Sequence, residues 1–278
     1  MNEVAVTLLR AGHTVHPRGS TIRGGGWRLQ QFPALAALLM HPQEGPILFD
    51  TGYDPAFLAA TDPFPERLYR WLTPPTLAPG EEIAAQLERR GVAPADLRHV
   101  VVSHFHADHA AGLRRFPNAT VHCARAGLEP LVSAGRLAAL LAGLPRGLLP
   151  DDIARRARFF EDAPRRALPP DLAPFETGAD LLGDGALLAV ELPGHCPGHW
   201  GLVVRDTRVG LHFLVADASW SSDAIRRDCP PPAAIAALLG DAARGRETLH
   251  RLHVLQARNR DITLTPSHCL ERAREVGP

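Results

Sequence analysis

The stretch VVVSHFHADHAAGL, residues 100–113, places four ionisable side chains, His104, His106, Asp108 and His109, within six positions directly after an apolar run. A short β-branched run of this kind reads as a buried strand. In an extended segment alternate residues point the same way, so His104 and His106 offer their imidazoles to one side. Asp108 and His109 lie beyond the strand end, where a loop or helix start can fold them back towards the same space. Two nitrogens can then serve one cation, and a carboxylate with a further nitrogen a neighbouring one. A lone histidine is usually solvated or a satisfied core residue; this crowding has the composition and spacing of metal ligands.

The remainder of the chain sets the class of protein that carries this segment. At 278 residues, 45% hydrophobic and 22% charged, it has the material for a sizeable core. Thirty acidic and thirty basic residues balance, so global charge gives no support to a nucleic-acid partner. Every basic residue is arginine, which excludes a lysine nucleophile or Schiff base. Cys123, Cys196, Cys229 and Cys269 are scattered and form no C-x-x-C pair, so neither a zinc knuckle nor a thioredoxin-like motif is expected. The first residues lack the pattern of a secretory signal, and no apolar stretch approaches the ~20 residues a membrane span needs. The expectation is a cytoplasmic protein acting on a small molecule, with no nucleic acid and no membrane as partner.

Along the chain, residues 3–9 read as a strand, and 12–26 as a loop because of their glycines and proline. Residues 32–40 fit a strand or a helix by periodicity alone, and pairing with 46–52 favours a hairpin around the HPQEG turn, leaving Asp50 at a strand-to-loop junction. Residues 54–80 are rich in proline and aromatics and read as a surface excursion. A helix is expected over 79–91 and a shorter one at 93–98. Strands follow at 99–103 and 119–123. The stretch 125–166 reads as a helical insertion broken at Pro145 and Pro150, within one domain spanning 1–278. A hairpin is expected over 180–192 around its Asp-Gly turn, then strands at 200–205 and 212–217, helix over 230–258 and a last strand at 261–268.

Further metal-type side chains stand at several of these strand ends. LPGHCPGHW puts His195 just after a strand, HFLVADASW puts Asp217 at the end of another, and LTPSH ends on His268. Each is weak alone; their recurrence at strand ends is the sharper signal.

With these motifs the sequence resembles the metallo-β-lactamase superfamily over nearly its whole length. SHFHADH matches the superfamily's H-x-H-x-D-H signature, ILFDTG its upstream D-T-G strand and PGHCPGH its downstream G-H-x-x-G-H, in the same order. The resemblance implies an α/β, four-layer αβ/βα sandwich: two packed mixed sheets with helices outside. Carried over by motif, it gives His104, His106 and His195 to one metal and Asp108, His109 and His268 to a second, with Asp217 bridging. Asp50 would support the site by hydrogen bonding, and His199 would be structural. The mixed donor set suits two Zn²⁺ per chain, although iron, manganese or cobalt can use the same ligands. Family members often dimerise, so a homodimer is a further expectation.

The implied chemistry is hydrolysis, in which a hydroxide shared by two cations, its pKa lowered to about 7, attacks a polarised carbonyl or phosphoryl centre. Asp108 would protonate the leaving oxygen. Histidine at position 106 argues against flavodiiron proteins, and Asp217 against true β-lactamases. The run DASW, residues 217–220, resembles most the Asp-Ala-Ser-Tyr of N-acyl homoserine lactonases, with Trp220 where those have tyrosine. An indole donates one hydrogen bond but neither accepts nor ionises. Glyoxalase II-type thioesterases and organophosphate or phosphodiester hydrolases are the alternatives. A metal-binding sensor with little turnover is the alternative from another class. Trp220, Trp27, Phe64, Tyr69 and Trp71 are candidates to wall an apolar substrate pocket.

Overall fold

A computed structural model describes residues 2–276. Its twelve strands are β1 Glu3–Pro17, β2 Leu29–His41, β3 Gly45–Phe49, β4 His99–Val101, β5 Thr120–Cys123, β6 Ala157–Phe159, β7 Arg165–Ala167, β8 Thr177–Asp180, β9 Leu188–Glu191, β10 Trp200–Asp206, β11 Gly210–Ala216 and β12 Thr263–Pro266. One sheet runs β6-β5-β4-β3-β2-β1 and the other β7-β8-β9-β10-β11-β12. They join where Glu3 and Val4 pair in parallel with Arg205 and Asp206.

The period-2 alternation of these strands builds the layers. Val4 and Val6 of β1, Ala37 and Leu39 of β2, Ile47 and Phe49 of β3, and Val101 of β4 share one apolar cluster with Ala189, Trp200, Leu202, Val204, Leu214 and Ala216 of the other sheet. Intervening residues face outward. Leu38, Leu48 and Val100 pack with Phe57, Ile83 and Leu87 from helices covering the first sheet. Val190, Val203 and Phe213 pack with Ile225, Leu249 and Leu252 from helices Ser222–Arg226 and Ala242–Arg258 over the second. The result is helix, sheet, sheet, helix: the sandwich the motifs implied.

Several local expectations differ from the structure. β1 does not stop at Gly12 but continues to Pro17 against β2. A register shift between Arg10 and His13 absorbs Gly12, which sits at φ 78. A Cβ at Gly12 would lie 2.8 Å from Thr76 O, whose residue bridges His13. The helix expected over 79–91 is confined to Ile83–Glu88, because Glu81 instead bonds Arg10 Nε and Ala78 N. Residues 54–80 contain two short helices, Pro55–Ala60 and Glu66–Leu72. The stretch read as helical up to residue 166 ends in strands, since β6 extends the first sheet beside β5 and β7 borders β8. Gly240 divides the helix expected over 230–258 into Ala233–Leu239 and Ala242–Arg258.

Candidate metal centre

Within each sheet the candidate residues leave strand ends on a common edge. β3 and β4 are parallel, so Asp50 and the segment from Ser103 to His109 emerge together. β11 and β12 are parallel, which puts Asp217 beside His268. β9 is antiparallel to β10, and β10 to β11, so β9 delivers His195 to the same side as Asp217. Backbone hydrogen bonds sew the edges together: Trp200 N donates to Ser103 O at 2.9 Å and Leu35 N to Ser267 O at 2.9 Å. Ala216 at φ 47 and Asp50 at φ 58 are left-handed non-glycine residues, strained conformations at the strand ends that carry Asp217 and the Asp50 carboxylate.

Two groups of nitrogens face one another. His106 Nδ1 lies 3.0 Å from His104 Nε2 and 2.9 Å from His195 Nε2, forming a tripod. His268 Nε2 lies 3.3 Å from Asp108 Oδ2, and His109 Nε2 lies 3.9 Å from the same oxygen. Asp217 stands between them. Its Oδ1 is 3.3 Å from His109 Nε2, while its Oδ2 is 3.3 Å from His195 Nε2 and 3.1 Å from His268 Nε2. The structure thus gathers all seven residues expected as ligands.

The opposite ring nitrogens are held by the protein. Asp50 Oδ2 accepts from His109 Nδ1 at 2.7 Å and from Ser103 Oγ at 2.7 Å, and Asp50 Oδ1 accepts from Ser103 N at 2.8 Å. Ser103 Oγ also lies 3.0 Å from His104 Nδ1. His268 Nδ1 donates to Pro33 O at 2.7 Å. His199 donates through Nδ1 to Leu192 O and accepts the Asp217 N–H at Nε2, fixing Asp217 from behind. Burial pushes the His199 pKa down to about 4, in keeping with a neutral acceptor. Thr51 Oγ1 donates to His109 O and accepts from Gly112 N, so the D-T-G turn grips the end of the short helix Ala107–Ala110.

A cation fits this arrangement. His109 Nε2 and Asp217 Oδ1 are buried atoms with no hydrogen-bond partner, and both point into the cluster. Burial keeps the imidazoles of His104, His195 and His106 below the ordinary histidine range, so the tripod is made of neutral donors. His268 differs: burial opposes its charge, but Asp217 and Asp108 outweigh it and raise its pKa to about 9. His109 moves upward for the same reason, with Asp50 contributing. These protons occupy the nitrogens a metal needs. Metal uptake near pH 7 should therefore release protons, and apparent affinity should climb as pH rises from 6.5 towards about 9. Calorimetry in buffers of different ionisation enthalpy counts them; no release would contradict ligand roles for His268 and His109. By the same linkage, the His268 proton stabilises the metal-free fold below pH 6.5, and this contribution is lost as pH rises through about 9.

Of the aromatic candidates, Trp220 is at the site. Its Nε1 donates to Asp217 Oδ2 at 3.1 Å and its ring lies 6.0 Å from those of His195 and His268. It also lines a cleft with His195, Asp217, Pro230, Leu239 and Leu249, whose walls include none of Trp27, Phe64, Tyr69 or Trp71. Trp27 is 90% exposed on the glycine-rich loop. Phe64 and Trp71 meet edge-on at the surface, and Tyr69 packs against Phe57 beneath the first sheet's helices. Sequence reading missed Ser103, the Pro33 carbonyl and Cys196, whose Sγ joins the tripod nitrogens in a group with no two ligand atoms more than 4.8 Å apart. Ser103 and Cys196 each adjoin a candidate ligand, the one signal that could have marked them.

A layered α/β sandwich with histidines and carboxylates converging on one edge defines a class of metal-centre proteins. The chain belongs to the metallo-beta-lactamase superfamily, whose family model matches residues 33–260. It is 32% identical over 151 residues to the N-acyl homoserine lactonase AttM of Azorhizobium caulinodans, covering 54% of this chain and 51% of that one. It is 26% identical over 192 residues to the N-acyl homoserine lactonase of Bacillus cereus, covering 69% and 66%. The matched region thus spans about half to two thirds of these curated relatives. A solved N-acyl homoserine lactone hydrolase, carrying the product N-hexanoyl-L-homoserine at its catalytic metal centre, aligns at TM-score 0.73 and 20% identity, covering 99% of this chain and 97% of that one. At that identity the likeness is one of fold. Among the described residues no helix is long and apolar enough to cross a membrane.

Proposed function

We propose that this protein is a metal-dependent hydrolase that opens a lactone or related ester, using two divalent cations, zinc by donor preference. The observation that carries this reading is Asp217, one carboxylate in reach of both nitrogen groups: its Oδ2 lies beside His195 and His268, and its buried, unpartnered Oδ1 beside His109. Lactonase relatives support the ester-opening chemistry. His104 Nε2, His106 Nδ1 and His195 Nε2 would hold one cation; Asp108, His109 and His268 would hold the other, with Asp217 shared. Such cations supply a Lewis acid for the carbonyl and acidify water to a pKa of about 7.

The chain's own groups do the remaining work. Asp50, Ser103 and the Pro33 carbonyl fix the ring orientations of His109, His104 and His268, so their donor nitrogens are held facing the cluster. Trp220 ties down Asp217 Oδ2 through its indole N–H, a contact that leaves its ring to form part of the cleft wall. Pro230, Leu239 and Leu249 give that cleft apolar surface suited to the hydrocarbon part of an ester. The Asp108 side chain is 15% exposed, against 3% for Asp217, and so can take a proton from solvent and pass it to a departing alkoxide oxygen.

A panel of lactones, thioesters and phosphotriesters tests the proposal on the metal-loaded protein. Lactones should turn over fastest; preference for a thioester or phosphotriester would reassign the substrate class, and inactivity on all would favour a sensor. Asp108→Asn should retain the fold and lower lactone turnover about 10²–10⁴-fold, the usual worth of a general acid. Turnover at the parent rate would remove Asp108 from that role.

A further inference from the structure

Resting on the cation site just proposed, we propose that Cys196 is an additional, soft ligand to the cation held by His104, His106 and His195, biasing that position towards thiophilic metals. Four donor atoms gather there, Cys196 Sγ and one nitrogen from each histidine, all within 4.8 Å of one another. Donors sharing a cation at Zn–N and Zn–S lengths stand roughly 3.5 Å apart in a tetrahedron and roughly 4.4 Å apart when opposite each other. The observed limit is compatible with either placement after a small side-chain rotation.

The turn that carries Cys196 is anchored on both sides. Gly194, at φ 128, packs so closely on the helix Ala242–Arg258 that a Cβ there would lie 2.1 Å from Gly245 N. Gly198, at φ 72, does the same against Gly127, whose N would lie 2.5 Å from an added Cβ. A sulfur in a fixed turn is presented to the tripod by backbone placement. The other cysteines are engaged elsewhere: Cys269 meets Ser222, Cys229 meets Arg23 O, and Cys123 is buried in β5. On ligation the S–H bond breaks, the proton leaves to solvent and a sulfur–metal bond replaces it. A thiolate beside three imidazoles favours zinc, cobalt or cadmium over manganese.

The test loads metal-free full-length protein with Co²⁺ and records its absorption spectrum. The parent should show visible ligand-field bands and a near-ultraviolet sulfur-to-cobalt charge-transfer band. Cys196→Ser and Cys196→Ala should lose the charge-transfer band and keep the ligand-field bands, while Cys229→Ser keeps both. In competition between Zn²⁺ and Mn²⁺, Cys196→Ser should cut the preference for zinc about tenfold, the scale on which even residues around a metal's ligands act. A parent spectrum lacking the charge-transfer band, or variants indistinguishable from it, would overturn the sulfur ligand while leaving the tripod intact. If no ligand-field bands form in the parent, the cation site itself is refuted. Should a variant fail to fold, the charge-transfer band of the parent and of Cys229→Ser still decides the matter.

Discussion

Asp217→Asn should leave a folded protein that binds clearly fewer than two cations per chain and turns over lactone at least about 10³-fold more slowly. The substitution preserves shape and removes charge where three imidazoles approach one carboxylate within 3.3 Å. Burial alone would favour protonation, but the charges on His268 and His109 outweigh it and hold the Asp217 carboxyl well below its usual range. A neutral amide cannot bridge two cations with both oxygens, and it leaves the raised His109 and His268 with one counter-charge fewer. Metal analysis of the purified variant, paired with kcat/KM, checks both halves of the expectation. Full metal content with parent activity would take Asp217 out of the centre.

Asp50→Ala should be the most damaging change outside the proposed ligands, lowering stability by about 3 kcal/mol and weakening metal binding about 10–100-fold. Asp50 is fully buried and accepts from Ser103 N, Ser103 Oγ and His109 Nδ1. Alanine strands those donors in a site water does not reach, and frees the His109 ring. It must also adopt the φ of 58 at this position, where an aspartate is better tolerated. Denaturant unfolding of the metal-free variant isolates the stability loss, and metal titration the loss of orientation. Asp50→Asn separates the two effects, since its Oδ1 can still accept from Ser103 N. Parent-like unfolding of Asp50→Ala would show that this carboxylate supports nothing.

Much of this architecture was legible in the sequence because its signals are local. Apolar runs in β2, β3, β10 and β11 mark buried strands, and the structure divides their two faces between the central layer and the helical ones. The motif histidines and carboxylates were legible for the same reason: each sits within a few residues of an apolar run that ends. What sequence hid was set by distant partners. Gly12 reads as a strand breaker, yet Thr76 across the fold accepts the bulge it makes. Glu81 reads as the first turn of a helix, yet Arg10 draws it away. The Pro33 carbonyl that orients His268 lies 235 positions from it. Phe64 and Trp71 read as a pocket wall because exposure cannot be inferred from hydrophobicity alone.

The division of donors between two sheets has a mechanical consequence. His104, His106, Asp108 and His109 ride on one sheet, while His195, Asp217 and His268 ride on the other. The gap between the two jaws is set by the layer clamped inside them, where Ala37, Ala189 and Ala216 lie among Leu39, Trp200 and Leu202. A methyl group added to that layer would act as a shim, spreading the two sets of proposed donors at once from inside the sandwich.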